Sequence, residues 1–236
     1  MLYLSTSVSF IARMKYVIAH RCNSLGDVEA ALARGANAVE CDVRVADDGV
    51  WFVDHDYCAP WATRYDAWLV DAAAAYRRHA HAALVVLDVK RCARFIDRLV
   101  DAALEAFDVE IVLSFPTVAE YRRANVRVRE RVTIYFSDDS FDAALRAIRA
   151  DYLEHAWIAA GVASFVPEPE RVGETVERAV RARDDASELA VLTTPPIRVG
   201  VWTLERAESI RHYLVDVGVD AVTVTPSAIE DAAALR

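Results

Sequence analysis

The chain has 236 residues, 55% of them hydrophobic, which fits one large domain or two small ones. Its formal net charge is −9, and this acidic balance argues against a nucleic-acid partner, which would need a basic face. A phosphate site is still compatible with it, because a local basic cluster or a metal ion can bind phosphate on an acidic protein. The sequence contains no apolar run long enough for a transmembrane segment.

The first 13 residues, MLYLSTSVSFIAR, are apolar and rich in serine. They lack the basic start and the small-residue cleavage site of a secretory signal. We expect residues 1–14 to be an N-terminal extension, with either Met14 as the natural start or residues 1–13 as a dispensable segment, and residues 15–236 to form the domain. The cysteines have neither C-x-x-C nor zinc spacing, which is typical of reduced thiols in a cytoplasmic protein, with secretion as the alternative.

Apolar segments with strand character alternate with helical segments along the chain. Strands are predicted at residues 15–19, 37–43, 83–89, 110–114, 131–136, 156–160, 198–202 and 220–224, with a short extra β-arm at 50–53 after the second strand. Helices are predicted at residues 25–34, 67–79, 93–107, 117–125, 140–150, 169–183, 204–216 and 226–235. This α/β alternation predicts a parallel sheet, and eight units in a single domain favour a (β/α)8 TIM barrel over an open sheet.

Polar and charged residues lie at the predicted carboxyl ends of several strands. In a barrel these ends meet at one mouth, so the side chains placed there should converge. The residues are His20, Glu40, Asp42, Asp88, Lys90 and Trp202, with His55 following the arm. Such placement in separate units would be improbable for scattered surface charge, and it predicts a functional site.

Three of these residues are carboxylates. Glu40 and Asp42 are two residues apart in a strand, so their side chains leave on the same face, and the two charges repel unless a cation lies near them. Together with Asp88 they offer hard oxygen ligands, which favour magnesium, with calcium as the alternative.

The remaining polar residues suit phosphate chemistry. Arg21 could bind phosphate oxygens in a fork and Lys90 could do so as a point charge. His20 and His55 could act as base or nucleophile on one side of phosphorus and as acid on the other. The residues themselves do not decide which histidine has which role.

Several motifs together resemble the glycerophosphodiester phosphodiesterase-like superfamily, and most closely its sphingomyelinase D / phospholipase D branch. They are AHRCN followed by GANAVECDV, then VVLDVK, EIVLSFP and VGVWTLERAESIRHYLVDVGVDAVTVTP. The similarity extends from about residue 15 to about residue 229.

The resemblance implies a role for each matching position. His20 and His55 would be the catalytic pair, Glu40, Asp42 and Asp88 would bind magnesium, Lys90 would contact the phosphate and Trp202 would border the substrate. Two positions depart from the branch. An arginine at position 21 is typical of the phosphodiesterases, and Thr225 occupies a position where the sphingomyelinase D branch has an asparagine.

The sequence therefore predicts a magnesium-dependent phosphodiesterase that removes the head group of a phospholipid or lysophospholipid. One alternative is cleavage of a water-soluble glycerophosphodiester to glycerol 3-phosphate. An alternative of another class is a barrel that binds a phosphorylated ligand without turnover. The product, a phosphomonoester or a cyclic phosphate, and the oligomeric state are left open.

Overall fold

The computed structural model of the protein describes residues 14–56, 60–90, 96–123, 131–137, 141–151, 153, 156–162, 174–181, 183–184 and 197–236. The predicted extension before Met14 lies outside these residues, and so do Cys58 and Cys92. The two cysteines within them, Cys22 and Cys41, are buried free thiols.

Strands and helices alternate as the sequence predicts. The strands are β1 (Tyr16–Ala19), β2 (Ala38–Val45), β3 (Trp51–Val53), β4 (Thr63–Arg64), β5 (Leu84–Val89), β6 (Glu110–Phe115), β7 (Thr133–Phe136), β8 (Ala156–Gly161), β9 (Ile197–Leu204) and β10 (Ala221–Val224). The helices are α1 (Asp27–Ala33), α2 (Tyr65–Arg78), α3 (Ile96–Ala106), α4 (Val118–Arg123), α5 (Phe141–Ala150), α6 (residues 174–181), α7 (Ala207–Arg211) and α8 (Ile229–Ala233).

Eight parallel strands close into a barrel, which confirms the predicted (β/α)8 fold. They follow the order β1-β10-β9-β8-β7-β6-β5-β2, and pairing between β1 and β2 completes the ring. The two remaining strands form the arm, in which β3 pairs antiparallel with the end of β2 and β4 pairs antiparallel with β3. The arm thus projects from the carboxyl end of β2, next to the mouth.

The barrel has two apolar layers because successive strand residues face opposite sides. On β5, Leu84 and Val86 pack inside the barrel, whereas Val85, Leu87 and Val89 pack in the larger layer between strands and helices. Because the strands are buried on both faces, their sequences are nearly continuous runs of apolar residues. The inward series of β5 ends at Asp88, which therefore faces the mouth.

A polar cluster lies across the opposite end of the barrel, where the strands begin. The Arg198 guanidinium donates from one nitrogen to both carboxylate oxygens of Glu110, at 3.0 and 2.7 Å. It also lies 5.6 Å from the ring centroid of Tyr16 and 5.2 Å from that of Trp157. We call these four residues the floor cluster. An ion pair stacked on two aromatic rings stabilises this end of the barrel without contact with the mouth.

Two details differ from the predicted elements. The predicted helix start at Leu204 is wrong, because Leu204 pairs with Val224 as the last residue of β9. The helix that follows is α7, and it continues as a π-helical turn, His212–Val217. Strand β4 is absent from the strands predicted from the sequence. In the part of the chain that the structure describes, every helix is too short or too polar to cross a membrane.

Candidate active site

A cavity of about 340 Å³ opens at the carboxyl ends of the strands. Its walls come from strands around the ring, since each inward series ends there. The lining residues are His20, Arg21, Glu40, His55, Asp88, Lys90, Ser114, Pro116, Tyr135, Ser137, Trp202 and Thr223. The structure thus brings together most of the residues singled out in the sequence.

The three carboxylates meet on one side of the cavity. Glu40, Asp42 and Asp88 each offer an oxygen, and these oxygens all lie within 4.8 Å of one another. We call these residues the acidic triad. Asp42 and Asp88 face each other because they are register partners on the paired strands β2 and β5. The strand register therefore fixes the distance between them.

Burial makes the triad electrostatically costly. Glu40 is 7% exposed and Asp42 only 1%. Burial, reinforced by the Asp42 and Asp88 charges, raises the pKa of Glu40 well above its usual range. Burial also raises the pKa of Asp88, although Lys90 acts in the other direction. A cation in contact with the triad would relieve this repulsion.

Lys90 supplies part of the required positive charge. Its ammonium contacts Asp88 Oδ2 and lies 3.2 Å from Asp42 Oδ1. Although burial works against it, these carboxylates raise the pKa of Lys90, so the side chain keeps its charge. One ammonium beside three carboxylates leaves the cluster negative if all are ionised.

The triad fits a hard divalent cation. Asp88 Oδ1 is buried and accepts no hydrogen bond from the described residues, so one ligand atom is free for a metal. Clustered carboxylate oxygens are the donors that magnesium and calcium prefer. Asn23 holds Asp42 in place, because its amide donates to Asp42 Oδ2 at 2.8 Å and accepts from the Asp42 backbone N–H at 2.9 Å.

The loop after β1 presents two adjacent side chains to the cavity. His20 ends the inward series of β1, and Arg21 has a positive φ of 57°, which turns its side chain to the same side. The Arg21 backbone N–H donates to Glu40 Oε2 at 2.7 Å. Trp68 of α2 anchors the loop by donating its indole N–H to the Cys22 carbonyl at 2.7 Å.

His20 is held as a neutral imidazole. Burial, followed by the charge of Arg21, lowers the pKa of His20 to about 4. Its Nδ1 lies 3.4 Å from the Thr203 hydroxyl, and its Nε2 lies 3.9 Å from Glu40 Oε2. An unprotonated imidazole beside a metal-binding cluster can accept a proton or attack phosphorus.

His55 extends from the arm toward the same cavity. Arg21 donates to His55 Nε2 at 2.6 Å, and arginine has no acceptor, so the ring proton lies on Nδ1. Nδ1 in turn donates to Asp56 at 2.7 Å. This hydrogen bond lowers the pKa of Asp56. The Asp56 carboxylate and the Arg21 guanidinium thus contact the two ring nitrogens of His55.

Trp202 forms an aromatic wall of the cavity. Its indole N–H donates to the Ser137 carbonyl at 3.0 Å. Its ring packs against Gly161, where an added Cβ would lie 2.8 Å from Trp202 Cζ2. The absence of a side chain at Gly161 therefore allows the ring to lie close to β8.

The amino-terminal part of the chain, residues 11–110, matches the Sphingomyelinase D/Phospholipase D family. Over 250 aligned residues the chain is 22% identical to Dermonecrotic toxin LarSicTox-alphaIB2c of Loxosceles arizonica, covering 88% of this chain and 87% of the toxin. These matches make the chain similar to the glycerophosphodiester phosphodiesterase-like superfamily. It is thus related to phosphoric diester hydrolases, near their sphingomyelinase D branch.

Solved structures of phosphodiesterases share the fold of this chain. A glycerophosphodiester phosphodiesterase from Agrobacterium tumefaciens superposes with a TM-score of 0.62 at 17% identity, covering 94% of this chain and 99% of that one. A phosphodiesterase from Oleispira antarctica, solved with the product sn-glycerol-3-phosphate, gives 0.62 at 17% identity, covering 94% and 97%.

The structure places one residue away from the site that the resemblance implies. Thr225 is not among the described lining residues, and its hydroxyl lies 3.1 Å from that of Ser227. Thr223, one inward position earlier on β10, lines the cavity instead. Strand β10 ends at Val224, so Thr225 already belongs to the turn that begins the next helix.

Several lining residues were not predicted from the sequence. Ser114 lies near the end of β6 on its inward face, Ser137 directly follows β7, and Tyr135 lies one inward position before Ser137. A polar residue at the end of an apolar strand was the available signal for Ser114. Asn23 lies in a loop, where no periodicity indicates the direction of a side chain.

Proposed function

We propose that this phosphodiesterase-like protein is a magnesium-dependent enzyme that cleaves the head group from a phospholipid or lysophospholipid in phospholipase D fashion. The observation that carries the proposal is the meeting of two histidines and the acidic triad in one cavity. The match to the sphingomyelinase D family over residues 11–110 supports a lipid substrate. We propose a cytoplasmic location.

The acidic triad would hold the metal. When bound, magnesium would act as a Lewis acid and neutralise charge on the phosphate oxygens. Lys90 lies beside two of the triad carboxylates and faces the cavity, where its ammonium can also contact a phosphate oxygen. A contact between the Lys90 ammonium and a phosphate oxygen would place the diester next to the triad.

His20 is proposed to accept the proton of the attacking hydroxyl, from water or from the substrate. Its neutral state supports this role, because a base must be unprotonated at the working pH. Attack by a substrate hydroxyl would give a cyclic phosphate, and attack by water a phosphomonoester.

His55 is proposed to protonate the departing alcohol. The Asp56 carboxylate accepts a hydrogen bond from Nδ1, so Nε2 is the nitrogen that can serve the alcohol. In this structure Arg21 donates to His55 Nε2, and phosphate oxygens would be the alternative acceptors for its guanidinium. Binding of the diester would therefore free Nε2 to take up a proton from solvent and to transfer it to the departing alcohol oxygen.

A second candidate is hydrolysis of a water-soluble glycerophosphodiester. It is supported by Arg21, which is typical of the phosphodiesterases, and by the Oleispira antarctica structure with its glycerol phosphate product. The two candidates share the metal and the histidines, and differ in whether the substrate carries an acyl chain.

Phosphorus NMR of the purified protein with lysophosphatidylcholine and, separately, with glycerophosphocholine tests the proposal. Each substrate is supplied with magnesium and with EDTA. We expect a magnesium-dependent phosphomonoester or cyclic phosphate signal from the lipid. Turnover of glycerophosphocholine alone would favour the second candidate, and silence in both would favour a phosphoryl-binding barrel without activity.

Single substitutions test the histidines. His20→Ala and His55→Ala should each lose turnover, whereas His212→Ala, with a half-exposed ring on the remote helical surface, should keep it. Full activity in both active-site variants would overturn the two-histidine mechanism.

A further inference from the structure

Arg44 lies on the same face of β2 as two members of the acidic triad. Glu40, Asp42 and Arg44 follow one another at intervals of two residues. The parallel pairing of β2 with β5 ends at Val43, and from there β2 pairs with the arm strand β3, where Arg44 is opposite Phe52. Arg44 therefore lies between the triad and the arm that carries His55.

The Arg44 guanidinium binds the backbone of the segment that presents His55. Its Nε donates to the Asp54 carbonyl at 3.2 Å and to the His55 carbonyl at 3.0 Å, and its Nη2 also contacts the His55 carbonyl. The Asp54 N–H adds a bond of 2.9 Å to the Asp42 carbonyl. The chain at His55 is thus held against β2 by a backbone hydrogen bond and by the Arg44 side chain.

The His55 ring depends on these ties because its own contacts are exposed. The His55 side chain is 37% exposed, and its partner Asp56 is 71% exposed. Hydrogen bonds between exposed groups hold a ring weakly. The backbone position set by Arg44 therefore decides whether the ring can meet Arg21 and the cavity.

We propose that Arg44 is a positioning residue that fixes His55 relative to the acidic triad. This inference rests on the proposed function for its kinetic consequence, although its structural consequence at His55 is independent of activity. A planar guanidinium with several N–H donors can span two neighbouring carbonyls, whereas the single ammonium of lysine cannot reproduce that fork. A positional error of about 1 Å in a reacting group can cost about 100-fold in rate.

The test compares Arg44→Ala and Arg44→Lys with Arg64→Ala. Arg64 lies on the same arm and binds the exposed Asp66 side chain, so its removal is the matched control. The substrate is whichever of lysophosphatidylcholine and glycerophosphocholine the wild type hydrolyses. We expect kcat to fall by about 100-fold in Arg44→Ala, with KM changed less than about threefold, and to stay near wild type in Arg64→Ala. Added guanidinium ion should restore at least part of kcat in Arg44→Ala only.

Nitrogen-15 NMR of the histidine rings supplies a readout that does not need turnover. The wild type should show His55 with its proton on Nδ1, and Arg44→Ala should show a mixture of tautomers. Unchanged His55 ring signals in Arg44→Ala would overturn the inference, even if the wild type hydrolyses neither substrate. Loss of the magnesium-induced rise in melting temperature in Arg44→Ala would also overturn it, because the residue would then support the metal site.

Discussion

Replacing Asp88 by asparagine should leave the stability without metal unchanged or higher and should lower the stability gained from magnesium. Burial raises the pKa of Asp88, so its charged form is less favourable in the folded chain than in the unfolded chain. Removing this charge should leave the melting temperature in EDTA equal to or above that of the wild type. The amide nitrogen can take the place of the unpartnered Oδ1, near the other carboxylates of the triad.

The response to magnesium should fall in the same variant. At a free magnesium concentration about 100 times Kd, binding stabilises the wild type by about 2.7 kcal/mol. For a domain of this size, that corresponds to a rise of about 5–11 °C in melting temperature. Loss of a charged ligand should weaken affinity by about 100-fold or more, since outer-shell partners alone account for about 10–100-fold. At the same magnesium concentration the variant would then gain only about 0.4 kcal/mol, or about 1–2 °C.

Differential scanning fluorimetry in EDTA and across a magnesium series measures both effects. Asp108→Asn is the matched control, because Asp108 is exposed in the turn before β6, at the opposite end of the barrel. A wild type whose melting temperature does not respond to magnesium would refute the assignment of the triad. So would an Asp88→Asn protein that keeps the full response.

Three further outcomes follow from the geometry. Because burial lowers the pKa of His20 to about 4, its ring should stay neutral as pH falls from 7 to 5, and a proton NMR titration with a midpoint near 6.5 would contradict this. Gly161→Ala should displace Trp202 and lower kcat/KM by at least about tenfold, since overpacking costs about 1–3 kcal/mol. Gly200→Ala is the control, because its added Cβ would lie no closer than 3.6 Å to other atoms. Equal kcat/KM in the two variants would exclude the displacement of Trp202. Arg198→Met should lower the free energy of unfolding in urea by about 1–2 kcal/mol, since its hydrogen bonds to the partly exposed Glu110 are lost, while kcat stays unchanged. A drop in kcat without loss of stability would contradict a purely structural role.

The barrel could be predicted from the sequence because its signals are periodic. Alternation along β2 places Glu40 and Asp42 on one face, and the strand-end rule brings Asp88 to them from the neighbouring strand. The structure confirms the fold and shows these side chains together. The catalytic roles of His20 and His55 stay predictions.

Features that depend on where a strand stops were harder to predict. Thr223 and Thr225 are two residues apart, so alternation along a strand would direct both side chains into the barrel. Because β10 ends at Val224, only Thr223 lies within the strand, and it lines the cavity. Leu204 belongs to β9 for a similar reason, since an apolar residue at a boundary suits a strand or a helix equally well. Contacts made from loops, such as that of Asn23 with Asp42, arise from tertiary folding and leave no local pattern.

The left-handed backbone at Arg21 restricts which residues position 21 can accept. Only a residue that tolerates positive φ leaves His20 undisturbed, and glycine and asparagine do so readily. A β-branched residue would strain this turn by about 1–2 kcal/mol and pull the His20 backbone with it. A set of substitutions at this position therefore separates two contributions. Arg21→Gly and Arg21→Asn remove the guanidinium, with its charge and its hydrogen bond to His55, and keep the turn. Arg21→Ile removes the same group and also distorts the turn.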